Sequence, residues 1–539
     1  MTYLEWLERF AALTPESRAH LRHKILQLER RPLISILLPI YNSDLEFLGR
    51  AIASVRRQIY ENWELCVADD ASTDPLIKPF LEDFARADHR IKVIFREKNG
   101  HISACSNSAL SLAGGEWCAL LDQDDEFAED ALAEVALEIG RSPEAAIIYS
   151  DEDFLDANDV RSNPFLKPDW NPELFLGQNY LNHLGIYRSS LLREIGGFRE
   201  GFEGSQDYDL ALRCSVRLRP EQIRHIPRIL YHWRMTKGSL AERPDAKPYA
   251  RHAARRALQS YLEERQIAAQ ALACPENSES HRVVYKLPAK RPLVSVVSTA
   301  QARAQWLEQA DYPILEFICS ESGAAGANSA AKKARCDILL FLSGEICAAE
   351  TGWLTEIVSH VARPEVGAVG ARLWSPENNL EDGGLILGLA GIATPAFRGI
   401  PRGHPGYFNR AWLQQEYSAV SAACLAVRKV VFLELNGFDE TNLPQHFYDV
   451  DFCLRLRQSG FRVVWTPYAN LVLRGSGLRK EAVGSSEATY MEARWGEQLQ
   501  HDPFYNRNLS LDLPGFVLAC PARLTSTSQD SRANALPAG

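Results

Sequence analysis

Long apolar runs are missing from this sequence. Although 46% of the 539 residues are hydrophobic, no stretch of about 18 consecutive apolar residues occurs, so a membrane-spanning helix of ordinary length is not predicted. Met1 to Arg31 also lacks the uninterrupted apolar core of a signal peptide. We therefore expect a cytoplasmic protein. Leu4, Leu7, Phe10 and Leu13 recur at helical spacing, which predicts a short segment that docks either on the protein itself or reversibly on the inner face of the cytoplasmic membrane.

Paired cysteines are absent as well. The 11 cysteines are an odd number, scattered singly, and no Cys-x-x-Cys pair occurs. This pattern excludes both a disulfide framework and a zinc-binding module. We expect reduced thiols that pack as small hydrophobic side chains.

An excess of positive charge is also absent, because the net charge is −10. Without surplus cations to neutralise phosphates, the chain is not expected to bind nucleic acid. Its length exceeds what a single hydrophobic core usually spans, so two or more domains are predicted.

Two parts of the chain follow the same plan. Residues 31–37 (Arg-Pro-Leu-Ile-Ser-Ile-Leu) and 291–297 (Arg-Pro-Leu-Val-Ser-Val-Val) are both apolar, β-branched runs that read as buried strands. Further matches, each in the same order, pair 196–200 with 436–440 and 207–213 with 449–455. The order and the spacing indicate a tandem duplication.

These matches predict the domain organisation. The expected segments are a helical segment at 1–30, a catalytic domain at 31–265, a polar linker at 266–290, a second domain at 291–480 and a C-terminal extension at 481–539 with a disordered tail from about residue 525.

Strand and helix patterns alternate within the first copy. Strands are predicted at 34–38, 64–68, 92–95 and 117–121, with helices at 48–57 and 77–87 between them. This alternation predicts an α/β fold with a mostly parallel sheet, which binds ligands at the carboxyl ends of its strands. Residues 41–42, 69–70 and 122–125 follow three of these strand ends and should share one crevice.

The segment Asp122-Gln123-Asp124-Asp125 places three carboxylates in four positions. Like charges at this spacing repel one another unless a cation lies between them, and hard oxygen ligands suit Mg²⁺ or Mn²⁺. The alternative is an acidic cap for the helix that starts near Asp130.

Seven motifs of the first copy occur together and in order. They are Pro39-Ile40-Tyr41-Asn42, Ala68-Asp69-Asp70-Ala71-Ser72-Thr73-Asp74, Asn99-Gly100-His101-Ile102-Ser103, Leu121-Asp122-Gln123-Asp124-Asp125, Tyr149-Ser150-Asp151-Glu152-Asp153, Gly204-Ser205-Gln206-Asp207-Tyr208-Asp209-Leu210 and Tyr231-His232-Trp233-Arg234. With them, residues 31 to about 479 resemble the inverting family 2 glycosyltransferases of the tandem-domain type that is associated with bacterial surface polysaccharide, such as O-antigen or rhamnan. The resemblance implies two tandem, Rossmann-like glycosyltransferase-A domains with mostly parallel sheets, the second one degenerate.

The resemblance also implies how a nucleotide-sugar donor is held. The implied donor-binding residues are Pro39, Tyr41, Asn42, Asp69, Asp70, Asp122, Asp124, Trp233 and Arg234. In this set Asp122 contacts the ribose, and Asp124 binds a divalent metal, Mn²⁺ or Mg²⁺, with support from Asp125. His232 is implied as a further metal ligand. Two alternatives stay open: Asp69 and Asp70 as acids that hold a turn, and His232 as a packed core residue.

Asp207 is the predicted general base, which deprotonates the acceptor hydroxyl as it attacks the anomeric carbon. A helix-capping role is the alternative, and one residue can do both. Many relatives carry Glu-Asp at this position. This chain has Gln206-Asp207, which keeps the aspartate and lacks the neighbouring charge. His183, Phe202 and Gln206 are predicted on the acceptor side, whereas Asp209 is expected to hold structure through Arg213.

The second copy lacks most of these chemical positions. Ser320-Glu321-Ser322 replaces the paired acids, Ser343-Gly344-Glu345 replaces the acidic cluster, and the region 471–474 carries no histidine. Asp449 and Asp451 survive, but acids that head a helix can be purely structural. We expect a non-catalytic second domain, with a second active transferase as the alternative.

Together these observations predict a metal-dependent, inverting glycosyltransferase that acts on a growing bacterial surface glycan or its lipid-linked precursor. A non-catalytic glycan-binding or scaffold protein is the rival, and the acidic cluster, Asp207 and His232 count against it. A nucleotidyltransferase would need a Gly-rich, basic loop after the first strand, and residues 39–44 offer none. Peripheral membrane contact and a homo-oligomer are left open.

Overall fold

The computed structural model describes residues 1–235, 248–298, 310–312, 315–474 and 484–523. They separate into two compact units. Unit 1 contains Met1–Trp170, Asn179–Gln266 and residues 520–523, and unit 2 contains Asn171–Gln178 and Ile267–Ala519. The short segment Asn171–Gln178 thus belongs to unit 2, although its neighbours along the chain belong to unit 1. The predicted tail from residue 525 lies outside the described residues.

Unit 1 is built on a nine-stranded mixed sheet. Its strands are β1 Ile34–Ile40, β2 Trp63–Asp69, β3 Ile91–Phe95, β4 Trp117–Leu120, β5 Glu126–Phe127, β6 Ile147–Leu155, β7 Arg161–Phe165, β8 Gly185–Arg188 and β9 Ile223–Arg234. The order is β3-β2-β1-β4-β8-β6-β9-β5, and β7 pairs with β6. β1 to β4 run parallel, as do β6 and β9, whereas β8 is antiparallel to both of its neighbours. The four predicted strands are confirmed within one or two residues.

Helices cover this sheet. In chain order they are α1 Tyr3–Trp6, α2 Pro15–Leu26, α3 Leu45–Arg56, α4 Ile77–Ala87, α5 His101–Leu112, α6 Ala131–Arg141, α7 Pro172–Phe175, α8 Ser189–Glu194, α9 Gln206–Ser215 and α10 Pro248–Glu264, with α7 in unit 2. A short π-helix, Leu7–Ala11, and a 3-10 helix, Pro220–Gln222, complete the set. α3 shows why such segments fold: Asp44 accepts hydrogen bonds from two backbone N–H groups of the first turn, and Leu48, Ile52 and Val55 are buried in the core.

The N-terminal segment lies on unit 1 itself. Trp6 and Leu7 are buried, and the Tyr3 hydroxyl donates a hydrogen bond of 2.6 Å to Asp153 on β6. The first of the two predicted alternatives is therefore the one found. Among the residues that the structure describes, none of the helices combines the length and the apolar character that crossing a membrane requires.

Unit 2 contains a second nine-stranded sheet and two hairpins. Its strands are β10 Ala269–Ala273, β11 His281–Tyr285, β12 Val294–Ser298, β13 Leu315–Cys319, β14 Ile338–Leu342, β15 Ile346–Ala348, β16 Val366–Trp374, β17 Leu380–Asp382, β18 Leu385–Leu387, β19 Ala393–Pro395, β20 Gln415–Glu416, β21 Cys424–Arg428 and β22 Arg462–Leu473. Its further helices are α11 Gly323–Lys333, α12 Trp353–Val361, α13 Lys429–Glu434, α14 Tyr448–Gln458 and α15 Ser486–Gln500, with a 3-10 helix at Tyr407–Trp412. β10 and β11 form an antiparallel hairpin within the predicted linker.

The two large sheets repeat one topology. The order β13-β12-β14-β21-β16-β22-β15 in unit 2 matches β2-β1-β4-β8-β6-β9-β5 in unit 1 strand for strand. The registers agree too, since β4 and β8 pair Trp117 with Arg188 and β14 and β21 pair Ile338 with Arg428. This agreement confirms the duplication and gives each position on the first sheet a counterpart on the second.

Candidate active site

The carboxyl ends of β1, β2 and β4 come together in unit 1, as the parallel arrangement predicts. The backbone N–H of Tyr41 and the hydroxyl of Ser43 both donate to the side-chain oxygen of Gln123, at 2.9 and 2.6 Å. The backbone N–H of Asn42 donates to Ser72, which follows β2, at 2.9 Å. Residues after three different strands therefore line one edge of the sheet.

Asp69 and Asp70 hold the turn after β2. Asp69 accepts a hydrogen bond of 2.5 Å from the Ser72 hydroxyl. Asp70 forms an ion pair of 2.7 Å with Arg96 and accepts from the backbone N–H of Gly100 at 3.0 Å, just before α5 begins. Both carboxylates are buried. These contacts are those of the turn alternative, and contact of either carboxylate with a nucleotide base stays a prediction.

Three side chains at this edge are placed as metal ligands would be. One ligand atom each from Asp122, Asp125 and His183 lies within 4.8 Å of the other two. Among the described residues, no other three potential metal ligands lie this close together. Asp122 is about half exposed (47%), so the group opens toward solvent. The loop 122–125 leads into β5 and not directly into α6, so it does not cap that helix.

Asp125 is the buried member of the group. Its carboxylate accepts hydrogen bonds from the Tyr231 hydroxyl at 2.6 Å and from the backbone N–H of Arg234 at 2.8 Å. Burial raises the pKa of Asp125 well above its ordinary value, and the charges of Asp124 and Asp122 raise it further. A divalent cation would remove this repulsion, and two carboxylates with an imidazole suit Mn²⁺. The residues present therefore fit the predicted metal.

His183 lies beside the acidic cluster, and its contact with the acceptor stays a prediction. Its Nε2 lies 3.6 Å from Asp122, its Nδ1 lies 3.0 Å from Glu152, and its ring stacks on Tyr231 with centroids 4.5 Å apart. Burial alone would lower the pKa of His183, but hydrogen bonds and charges from Asp122 and Glu152 raise it well above its ordinary value. The placement joins His183 to the predicted metal site.

Each of three successive acids on β6 has a histidine partner. Asp151 lies 2.9 Å from His225, Glu152 contacts His183, and Asp153 lies 2.6 Å from Nδ1 of His232. A carboxylate on one ring nitrogen fixes the orientation of the other, which is a common way to prepare a metal-binding histidine. The motif 149–153 is part of the sequence resemblance, but nothing in the sequence alone assigns the three pairings.

His232 and Asp124 are placed differently from the predicted ligand set. His232 is oriented by Asp153, which also accepts hydrogen bonds from Arg161 and Tyr3 at 2.6 Å each. Neither His232 nor Asp124 belongs to the three-residue group with mutually close ligand atoms. Their roles as metal ligands stay predictions. Asp125 and His183 belong to the three-residue group, but sequence reasoning did not assign them as metal ligands.

Asp207 lies in the first turn of α9, where the capping position itself is Ser205. Its Oδ2 accepts hydrogen bonds from the side-chain amides of Asn179 and Asn182, at 3.0 and 2.7 Å. Burial raises the pKa of Asp207, the charge of His183 acts in the opposite direction, and the charge of Asp122 adds to the rise. The charges of two members of the predicted metal site, His183 and Asp122, thus both act on the pKa of Asp207.

Asp209, two positions further along α9, has the structural role that the sequence predicted. It accepts from Arg213 at 2.9 Å and pairs with Arg199.

Arg234 is not accessible to a donor. Its side chain is 1% exposed and pairs with Glu126 and Asp159 at 2.6 Å each, while its Nε donates to the backbone carbonyl of Asp124 at 3.1 Å. These contacts fix the loop 122–125, called the acidic loop below, in place. Trp233 is half-buried and lies 5.5 Å from the His183 ring between centroids. Two other residues predicted to bind the donor are more accessible: Tyr41 is 45% exposed and Pro39 is half-buried.

The predicted acceptor residues Phe202 and Gln206 lie before and at the start of α9. The guanidinium groups of Arg199 and Arg256 lie over the Phe202 ring, 4.2 and 4.9 Å from its centroid. A sugar at this ring would compete with them. Gln206 accepts from the backbone N–H of Gly204 at 2.9 Å. Acceptor contact by these two residues stays a prediction.

A family model described as "Glycosyl transferase family 2" matches residues 35–195, which carry the acidic cluster and His183. An Escherichia coli protein named as a glycosyl transferase of colanic acid biosynthesis is 31% identical over 196 residues, which cover 35% of this chain and 68% of that protein. The chain belongs to glycosyl transferase family 2. The predicted membership is confirmed.

Two longer relatives align with nearly the whole family 2 chain. An uncharacterized protein of Sinorhizobium fredii is 37% identical over 573 residues, which cover 98% of this chain and 63% of that protein. An O-antigen biosynthesis protein of Myxococcus xanthus is 33% identical over 542 residues, which cover 93% of this chain and 42% of that protein. The chain therefore spans less than two thirds of the length of either relative.

Among the described residues of the second unit, the counterparts of the site's acids and histidines are other residue types. Matching the strand registers pairs Asp122 with Ser343, Asp125 with Ile346, Asp151 with Arg372, Glu152 with Leu373, Asp153 with Trp374, His183 with Ala423 and His232 with Val472. Asp449, the counterpart of Asp207, is kept, but it accepts hydrogen bonds from the backbone N–H groups of Ala422 and Val450, both at 2.9 Å. The second unit is degenerate, as predicted.

Proposed function

We propose that unit 1 is a metal-dependent, inverting glycosyltransferase that moves a sugar from a nucleotide-diphosphate donor to a hydroxyl group of a growing bacterial surface glycan or its lipid-linked precursor. The observation that carries the proposal is the cluster of Asp122, Asp125 and His183 in the same unit as Asp207, whose carboxylate is held by Asn179 and Asn182. Membership in the family supports the transfer of a sugar, and the names of the relatives support a surface polysaccharide as the product.

The acidic loop and His183 hold the donor end of the site. A divalent metal bound there, Mn²⁺ or Mg²⁺, would neutralise the negative charge that gathers on the departing diphosphate. Asp122 and Asp125 would supply the oxygen ligands, and Glu152 keeps the His183 ring in the orientation that directs Nε2 toward Asp122. Arg234 fixes the loop from behind, so the ligands are held before the donor binds.

Asp207 handles the proton of the acceptor. Its carboxylate takes the proton from the acceptor hydroxyl while that oxygen bonds to the anomeric carbon, and the bond from the anomeric carbon to the diphosphate oxygen breaks. Attack from the face opposite the diphosphate inverts the configuration. Asn179 and Asn182 hold one carboxylate oxygen of Asp207, which orients the carboxylate. Burial raises the pKa of Asp207, which makes its carboxylate a stronger base.

The variant Asp207→Asn tests the proposal. We expect it to lower transfer at least 1,000-fold, a loss at the upper part of the ~100 to 10,000-fold range for a general base, while donor affinity stays within a few fold. Transfer would be followed by release of nucleoside diphosphate from a panel of nucleotide sugars. Asp449→Asn, the same change at the counterpart position in unit 2, is the matched control and should keep full activity. Unchanged turnover in Asp207→Asn would remove Asp207 from this role.

A further inference from the structure

Unit 2 keeps a cavity where its counterpart has the predicted active site. The cavity, about 830 Å³, opens at the carboxyl ends of β12 and β14 and reaches the first residues of α11 and α14. Cavities of ~300–1,000 Å³ are typical of sites that enclose a small molecule. The duplication thus lost the acidic cluster in this unit but kept the space in front of it.

A buried hydroxyl in this cavity lacks a partner. Ser298, the last residue of β12, is 3% exposed, and its Oγ makes no hydrogen bond in the part of the chain that the structure describes. Leaving a buried polar group unpaired is unfavourable, so such a group is expected to meet a polar atom of a ligand or a water molecule. This hydroxyl points to a ligand that carries hydrogen-bonding groups of its own.

The charges of the lining argue against an anionic ligand. Its described residues include the acids Glu321, Glu345, Asp449 and Glu492 against the arginine Arg398. Arg398 itself lies 3.4 Å from Glu381. Among the described residues of this unit, no three potential metal ligands lie within 4.8 Å of one another. An uncharged, polar ligand suits the cavity better than a nucleotide.

Aromatic rings complete the wall of the cavity. Phe447 and Tyr448 are half-exposed and line it, and the ring of Tyr448 packs on buried Phe438 with centroids 4.9 Å apart. Rings of this kind offer flat apolar surface, while carboxylates and serine hydroxyls accept hydrogen bonds from hydroxyl groups. Sugars present both kinds of surface at once, namely apolar C–H faces and a rim of hydroxyl groups. We propose that this cavity binds an uncharged saccharide and does so without a metal ion.

The full chain provides the test, with calorimetric titration of neutral trisaccharides made of glucose, galactose, mannose, rhamnose or N-acetylglucosamine. We expect at least one of them to bind equally well with Mn²⁺ and with EDTA. Ser298→Ala combined with Glu345→Gln should weaken that binding at least tenfold, since both changes remove hydrogen-bonding partners from the cavity. The change Ser298→Ala removes only a hydroxyl group, and Glu345 is exposed, so the double variant should fold. Glu377→Gln, on an exposed turn outside the cavity, is the matched control.

Two further variants separate this inference from the proposed function. Asp122→Asn and Asp207→Asn in unit 1 should abolish transfer and leave saccharide binding unchanged. The inference is overturned if no trisaccharide binds at millimolar concentration, or if EDTA or Asp122→Asn removes the binding. It is equally overturned if the double variant binds like the parent, or if UDP or GDP without metal binds and is lost in the double variant.

Discussion

At the scale of single residues, the acids on β6 decide how the candidate site is prepared. Glu152 is the clearest case, because it accepts from the backbone N–H of His183 at 2.7 Å and contacts the ring Nδ1 at 3.0 Å. Lys167, fully buried, lies 3.7 Å from the same carboxylate. The charges of Lys167 and His183 outweigh burial and lower the pKa of Glu152, so it stays ionised.

Removing this charge should loosen the metal site. We expect Glu152→Gln to lower the affinity for Mn²⁺ about 10 to 100-fold, which is typical when a partner that orients a ligand is lost. Titration of Mn²⁺ followed by electron paramagnetic resonance measures the effect. Glu64→Gln is the control, because Glu64 is also a buried carboxylate on the same sheet but pairs with Lys92 and Ser35. Equal Mn²⁺ affinity in both variants would contradict the role given to Glu152.

Single residues also show where sequence reasoning stops. The sequence placed the acids of residues 122–125 at the end of β4, because strand ends and an alternating pattern are local signals. It could not tell that His183, and not His232, lies next to Asp122. Which histidine contacts which acid depends on how β6 pairs with β8 and β9, and these strands are distant from one another in the sequence. Arg234 shows the same limit, since the sequence does not reveal that its charge is buried against Glu126 and Asp159.

At the scale of elements, regular strands and helices were well predicted and short connecting pieces were not. α4 begins and ends at the predicted residues, and β1 to β4 differ by one or two residues at an end. Hydrophobic periodicity carries those elements. The polar segment 266–290 instead contains a hairpin, β10 and β11, whose pattern is too short and polar to stand out from a linker.

The short helix α7 offers a test at this scale. Glu173 is buried and forms ion pairs with Arg363 at 2.9 Å and with Arg462, all within unit 2. Burial would raise its pKa, but the two arginines lower it to about 2. A lowered pKa stabilises the folded state above the ordinary glutamate value, and this contribution is lost as the pH falls through the folded value.

The unsubstituted protein should therefore lose its extra stability relative to Glu173→Gln at low pH. We expect the difference in the free energy of unfolding between the two proteins to shrink by about 2 kcal/mol between pH 6 and pH 3. Urea unfolding at the two pH values measures it. A difference that stays constant, or grows as the pH falls, would show that the ion pairs do not hold the Glu173 carboxylate in its charged form.

At the scale of the whole molecule, the two units share a topology but differ at the positions of the candidate site. The strand order and registers are repeated. The acids and histidines on β6, just before β8 and on β9 correspond in unit 2 to Arg372, Leu373, Trp374, Ala423 and Val472. The duplication was visible in the sequence, because buried strands and the starts of helices keep their residue types. The cavity of unit 2 was not, because no local pattern signals an empty space.

The segment Asn171–Gln178 makes a prediction about the division of the chain. It belongs to unit 2, and its Leu174 and Phe175 are almost fully buried. A shortened chain of residues 1–266 carries this segment without Ile267–Ala519, so we expect it to expose these apolar side chains and to aggregate. Replacing 171–178 by a Gly-Ser linker in the shortened chain should restore solubility. A soluble, monomeric 1–266 chain by size-exclusion chromatography would contradict this account.

The central claim is that acidic side chains of unit 1 bind a nucleotide donor through a divalent metal. The most direct measurement is calorimetric titration of UDP and GDP into the full chain, with Mn²⁺ and with EDTA. We expect at least one nucleotide to bind more than tenfold more tightly with Mn²⁺, and we expect Asp122→Asn to remove that gain while Ser343→Ala, at the counterpart position of unit 2, keeps it. Affinities that are the same with Mn²⁺ and with EDTA, or a gain that survives in Asp122→Asn, would contradict the claim.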